Sequence, residues 1–201
     1  MPLPQQNLQL AAERAFEAVA RQGAEQLLWL GAQPLGDGWR VPVLNEPLDV
    51  DLRARQVTTA AGRQVGPHWR ILTLRYLAAA TRPQARKPET TFADLPAART
   101  YADVYRRRTT GRLCATVGRD VAGLSAAARI LGGRPATAGD AAFDFDVFPR
   151  VPLRLIWHAG DEEFPPSATI LLPANIEAYF SAEDVVVLSE CFVARLGGRP
   201  F

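Results

Sequence analysis

Phe143-Asp144-Phe145-Asp146-Val147, then Leu153-Arg154-Leu155-Ile156-Trp157-His158, then Ala168-Thr169-Ile170-Leu171-Leu172, is the stretch that decides the fold. The first run alternates apolar and acidic residues with period two, the pattern of a strand with one buried and one polar face. Pro149-Arg150-Val151-Pro152 joins it to the second run, and a loop at 159–167 leads to the third. Such short links cannot carry a crossover helix, so the three strands are expected to form an antiparallel meander.

Upstream of this sheet, Leu113, Val117, Val121, Leu124, Ala128 and Leu131 recur at helical spacing, with Gly118 and Gly123 as possible breaks and Gly132-Gly133 as the stop. A helix over about 97–109 with Tyr101, Val104 and Tyr105 inward precedes it, after a polar, proline-containing loop at 83–96. Gly66-Pro67 opens a helix running to about Thr81-Arg82-Pro83. Trp69, Ile71, Leu72, Leu74, Tyr76, Leu77 and Ala78 cover most of its circumference, which marks it as central. Before that, Trp39 to Leu44, Leu48 to Leu52 and Gln56 to Thr59 read as strands, with Pro42 marking an edge or bulge. The N-terminal apolar face of Leu8, Ala12, Ala15, Phe16, Val19, Gly23 and Leu27 predicts one helix over about 8–30, with Asn7 as cap and Arg14 on the outer side. Downstream, Asn175 to Phe180 is a helical turn. Ser181-Ala182-Glu183-Asp184 is a capping box for a last helix over about 182–196 with Val185, Leu188, Cys191 and Phe192 inward.

Helices and strands are segregated along the chain rather than alternating, so the fold class is α+β: an antiparallel sheet with helices packed on it and a long central apolar helix. Residues 1–201 fit one domain, with the 83–96 loop as the one place to subdivide it. Apolar residues make up 48% of the chain, enough for a core without staples. No stretch is long enough to span a bilayer, and the N-terminus lacks the pattern of a secretory signal, so a cytoplasmic location is expected. Cys114 and Cys191 are expected to be buried free thiols, and two isolated cysteines do not make an iron–sulfur site. The net charge of +2 gives no reason to expect nucleic acid. Lys87 is the only lysine, so nearly all the positive charge is arginine.

Three segments carry a family resemblance. They are Gly139-Asp140-Ala141-Ala142-Phe143, Phe148-Pro149-Arg150-Val151-Pro152-Leu153, and Trp157-His158-Ala159-Gly160-Asp161-Glu162-Glu163-Phe164-Pro165-Pro166. Together with the helical Ile71-Leu72-Thr73-Leu74-Arg75-Tyr76-Leu77, they resemble a prokaryotic family catalogued as domain of unknown function 3786. The resemblance covers most of the chain and is most specific over 139–196. It implies no established activity. Some members of that family look fused to a cysteine-rich iron–sulfur module, which implies a role beside redox or corrinoid metabolism. This chain lacks the cysteine cluster, so any redox role would come from a partner protein.

Four groups of residues are candidates for chemistry. His158, Asp161, Glu162 and Glu163 place an imidazole and three carboxylates within six positions, the donor types of a hard or borderline metal or of a general acid or base. The bland alternative is an acidic hairpin loop in which Asp161 caps its own turn. Asp49, Asp51, Asp144 and Asp146 would share a sheet face if their strands were neighbours, and otherwise form solvated faces. Arg106-Arg107-Arg108, with Arg99 and Arg112, is a possible phosphate patch. Three consecutive helical residues spread over about 200° of azimuth, however, which favours a solvated helix end. Trp69, Tyr76, Trp157 and Arg150 are the candidate ligand contacts, with His68 beside Trp69; the alternative is that the aromatics are core.

No phosphate-binding glycine loop, dinucleotide fingerprint, nucleophile elbow, H-E-x-x-H or C-x-x-C occurs, so nucleotide binding has no support and the sequence identifies no cofactor. Three readings of function follow, in this order. The first is a non-catalytic accessory or small-ligand-binding domain beside a metabolic or redox enzyme. The second is a metal- or carboxylate-dependent enzyme using the His158 loop. The third is a structural or assembly subunit with a protein partner.

Overall fold

A computed structural model describes residues 4–96, 98 and 101–201, with side chains from residue 8 onward. Two antiparallel sheets carry the β structure. In the first, β1 (Gln33–Leu35), β2 (Gly38–Val43), β3 (Glu46–Asp51) and β4 (Gln56–Thr59) form a simple meander. In the second, β5 (Pro88–Thr90), β6 (Arg134–Ala136), β7 (Ala141–Phe148), β8 (Val151–His158) and β9 (Ser167–Pro173) lie in the order β5-β9-β8-β7-β6. The Leu44 N–H donates to the Val147 carbonyl at 3.2 Å and ties the end of β2 to β7.

The decisive stretch folds as its pattern requires. Val151, Leu153, Leu155 and Trp157 are buried along β8 while Arg154 and His158 turn outward. Two outward aspartates of central strands meet an arginine across the ladder: Asp144 sits opposite Arg154 and Asp49 opposite Arg40. Pro42 faces Pro47, beyond the last pair of β1 with β2. Neither proline is therefore asked for the N–H it lacks.

The helices are α1 (Pro4–Ala20), α2 (Ala24–Trp29), α3 (Pro67–Leu77), α4 (Ala102–Arg108), α5 (Thr110–Ala115), α6 (Val121–Ile130) and α7 (Ala182–Leu196). The single N-terminal helix expected from spacing is two, because Gly23 adopts an extended conformation and restarts the turn as the N-cap of α2. The 113–131 run likewise breaks at Gly118, which is non-helical inside a short 3₁₀ turn, and Asp120 caps α6 by accepting from the Gly123 N–H at 2.7 Å. Gly123 thus starts a helix rather than ending one. The 97–109 expectation is met only from Ala102 onward, and positions 97, 99 and 100 lie outside the described residues. Tyr101 is exposed instead of inward, its hydroxyl accepting from Arg108 at 2.9 Å.

Helix α3 is central as expected. Leu72, Leu74, Tyr76 and Leu77 have essentially no exposed surface, and α1 and α7 pack against the helix. Burying each such leucine stabilises the fold by about 1.5–3 kcal/mol. The Tyr76 ring stacks on Phe148 at 4.5 Å and lies 5.9 Å from Tyr179. Its hydroxyl donates to the Leu30 carbonyl at 2.6 Å and accepts the Arg150 N–H at 3.2 Å, linking α2 to the β7–β8 turn. One cluster of buried residues runs from α1 through both sheets to α7. No helix among the described residues is long and apolar enough to cross a membrane.

Candidate functional site

The 159–166 loop keeps its acids apart. The Asp161 carboxylate accepts the N–H groups of Glu163 and Phe164 at 2.9 and 2.7 Å, and the Asp161 N–H donates to the Phe164 carbonyl at 2.8 Å. Those backbone bonds hold its carboxyl below the usual aspartate range. His158 is exposed, and its nearest acid is Asp140, with Nδ1 4.0 Å from Oδ2. Asp140 in turn accepts from the Ala159 N–H at 2.8 Å. Glu162 and Glu163 point into solvent. Among the described residues no group of three or more His, Cys, Asp or Glu side chains is placed to hold a metal ion.

The strand aspartates lie in two different sheets, and three of the four are matched by arginine. Asp49 accepts from Arg40 at 2.6 and 2.8 Å, Asp144 from Arg154 at 2.7 and 2.9 Å, and Asp146 from Arg134 at 2.7 Å. Asp51 accepts the Ala54 N–H in its own turn. The arginine run divides in the same way. Arg108 pairs with Glu190 at 2.7 Å, Arg106 reaches Asp103 at 3.4 Å, and Arg107 and Arg112 are exposed.

The aromatic ligand candidates are built into the core. Trp69 packs edge-on to Phe201, and the buried Trp157 donates its indole N–H to the Gly118 carbonyl at 2.8 Å. Tyr76 is used as described above, and burial raises its phenol well above the usual value. Arg150 donates to the Trp29 carbonyl at 2.9 Å, and its guanidinium lies over the Trp29 ring at 4.7 Å. His68 is exposed at the first turn of α3. Cys114 and Cys191 are free and only half-buried; burial raises both thiols, that of Cys191 to about 12.

A different set of residues does converge. A cleft of about 400 Å³ lies between α1, α3 and the start of α7. Its floor is made of alanines from α1 and the end of α3, among them Ala11, Ala15 and Ala78. Its polar groups are Arg14, Arg75, Asp184 and Tyr179. Asp184, the third residue of α7, is almost fully buried and accepts the Ser181 N–H and hydroxyl at 3.1 and 2.7 Å, completing the expected capping box. Arg75 donates to its other oxygen, leaving the guanidinium partly exposed at the cleft wall. Arg14 is exposed with no charged partner among the described residues.

Tyr179 is the unusual member. It is only 6% exposed, yet its hydroxyl makes no hydrogen bond with the described residues. Burial raises its phenol, an effect the nearby positive charge of Arg150 opposes. The hydroxyl is not among the polar atoms sealed from water without a partner, so it opens on the cleft and is a donor available to something that enters. The sequence carried no distinct sign of this cleft, since Arg75 is one of two arginines, with Arg70, in a mostly apolar helix. Arg14, Arg75 and Tyr179 are too far apart in the chain to form a motif.

A family model described as Domain of unknown function (DUF3786) matches residues 25–195. No curated protein and no solved structure matches the chain.

Proposed function

The chain belongs to the DUF3786 family, and on that premise we propose that it is a non-catalytic small-ligand-binding domain, an accessory to a metabolic or redox enzyme, whose α1–α3–α7 cleft takes a small oxyanion with a short apolar body. The observation that carries the reading is the unpartnered hydroxyl of the buried Tyr179. That hydroxyl opens on the cleft, and a hydrogen bond from it to a charged acceptor is worth about 1.5–3 kcal/mol.

The charges choose the ligand class. Asp184 is committed to Ser181 and Arg75, so its negative charge is neutralised locally. Arg14 has no such counterpart, and Arg150 adds positive field at Tyr179. Arginine presents a planar fork of donors that matches a carboxylate or a phosphate. The alanine floor offers apolar contact but little depth, which suits a short aliphatic or aromatic body. Because its phenol is raised, Tyr179 stays protonated near neutral pH and donates. The predicted acid–base residues of the 158–163 loop are separately engaged or solvated, which favours binding over catalysis.

The test is thermal unfolding of the full chain with butyrate, benzoate, inorganic phosphate, and butyramide as the neutral control. A carboxylate or phosphate is expected to raise Tm while the amide does not, and Arg14→Ala is expected to blunt the response. A preference for carboxylates or for phosphate identifies which oxyanion the cleft takes. If none of the anions moves Tm, the reading is wrong.

A further inference from the structure

We propose that the chain pairs with a second copy of itself through the tip of the β8–β9 loop, Phe164 of each copy entering the hollow beside Pro165 and Pro166 of the other. Phe164 is 66% exposed, the largest aromatic exposure on the described surface. It is not on a slack loop. The three hydrogen bonds between Asp161 and residues 163–164 close the tip, and the Asp140 carboxylate holds the Ala159 N–H. Gly160 packs so closely under it that a Cβ there would lie 2.7 Å from the Phe164 carbonyl and 2.8 Å from the Pro166 nitrogen. Two prolines follow at once. A rigid aromatic held out in water loses little entropy on docking, the property that makes such residues anchors at interfaces.

The receiving surface is on the same molecule. A hollow of about 400 Å³ separates α5 from the loop, with Thr110, Cys114 and Ala115 on one wall and Pro165, Pro166 and Ala168 on the other. Its one charged lining residue is Arg106, which also reaches Asp103, and Arg107 and Arg112 are exposed elsewhere on the same two helices. The tip is acidic, with Glu162 and Glu163 solvated beside Phe164. Tip and hollow therefore carry opposite charge. They also lie side by side, joined through Pro165, so the proposed pairing is two-fold, each copy giving a tip and taking one. Such an isologous contact closes as a dimer instead of growing into a filament.

The pairing is tested by sedimentation velocity of the full chain over a range of concentrations. The wild type is expected to dimerise. Phe164→Ser, which changes an exposed side chain and should leave the fold intact, is expected to raise the dissociation constant by about 100-fold or more, since two equal anchors are lost at roughly tenfold each. The pair Glu162→Arg and Glu163→Arg is expected to dissociate the dimer, as is the pair Arg106→Glu and Arg112→Glu. All four changes in one chain are expected to restore it. A wild type that stays monomeric throughout would overturn the proposal and leave the tip to a different protein partner. A dimer indifferent to Phe164→Ser and to both charge reversals would overturn it as well. The hollow shares no residue with the α1–α3–α7 cleft, so these variants are expected to keep any anion response, and the two proposals stand or fall separately.

Discussion

Tyr179→Phe separates a functional hydroxyl from a structural ring. The ring lies 5.9 Å from Tyr76 at an interplanar angle of 27°, and phenylalanine retains that contact. What is removed is a hydroxyl with no hydrogen-bond partner among the described residues. A dry, unpaired hydroxyl costs about 1–3 kcal/mol, but this one borders a cleft that water can enter, so the expected gain on removal is at most about 1 kcal/mol. For a chain of this size that is a rise in Tm of roughly 2–4 °C. Binding is expected to move the other way. A hydrogen bond to a charged acceptor is worth about 1.5–3 kcal/mol, so the affinity for the oxyanion falls roughly 10- to 150-fold. The two effects are read together by calorimetric melting without and with a saturating carboxylate. The variant should start higher and respond less. A variant that melts well below wild type would mean that the hydroxyl has a structural partner, and an undiminished response to the anion would mean that it does not touch the ligand.

Other expectations follow from the same geometry. Gly139 has φ +55, and a Cβ there would lie 2.6 Å from the Trp157 carbonyl; Gly139→Ala is expected to cost about 1–2 kcal/mol for the left-handed backbone and about 1–3 kcal/mol more for the clash, read as a lowered urea midpoint. Tyr76→Phe leaves the Leu30 carbonyl and the Arg150 N–H without their buried partner and is expected to destabilise by about 1–3 kcal/mol, in contrast to Tyr179→Phe. Hydrogen bonding from Arg154 holds the Asp144 carboxyl below its ordinary value. The stability it contributes is therefore fully present above about pH 4 and is lost as pH falls through the lowered native value. Wild type should accordingly lose more stability than Asp144→Asn between neutral pH and about pH 3, and equal losses would refute the assignment. With its thiol pushed up to about 12, Cys191 is expected to be alkylated more slowly near pH 8 in the folded chain than in the unfolded one.

What the sequence could disclose depended on how far apart the interacting residues lie. The 143–147 and 153–158 runs announced their strands because each residue's environment alternates with its neighbour's, and β7 and β8 follow those limits closely. The three-residue strands β1, β5 and β6 carry no such alternation and exist only because a longer partner strand offers them hydrogen bonds. The N-terminal apolar spacing runs through Gly23 unbroken, but the helical backbone does not, so the spacing spans two helices. At the 158–163 loop the local alternative, Asp161 capping its own turn, was visible in the sequence and is what the backbone adopts. The cross-strand arginines were harder to see, since which aspartate meets which arginine is set by register. The cleft was hidden for the same reason in stronger form. Tyr179, Arg75 and Arg14 come together only through helix packing, and nothing local marks the Tyr179 hydroxyl as open.

The central claim is that this opening binds an oxyanion. Its most direct test is isothermal titration of the full chain with benzoate and, separately, with benzamide, repeated on Tyr179→Phe. Saturable one-to-one binding of the acid, absent for the amide and weakened in the variant, is the predicted result. Binding of acid and amide alike, or an acid affinity unchanged in Tyr179→Phe, would contradict it.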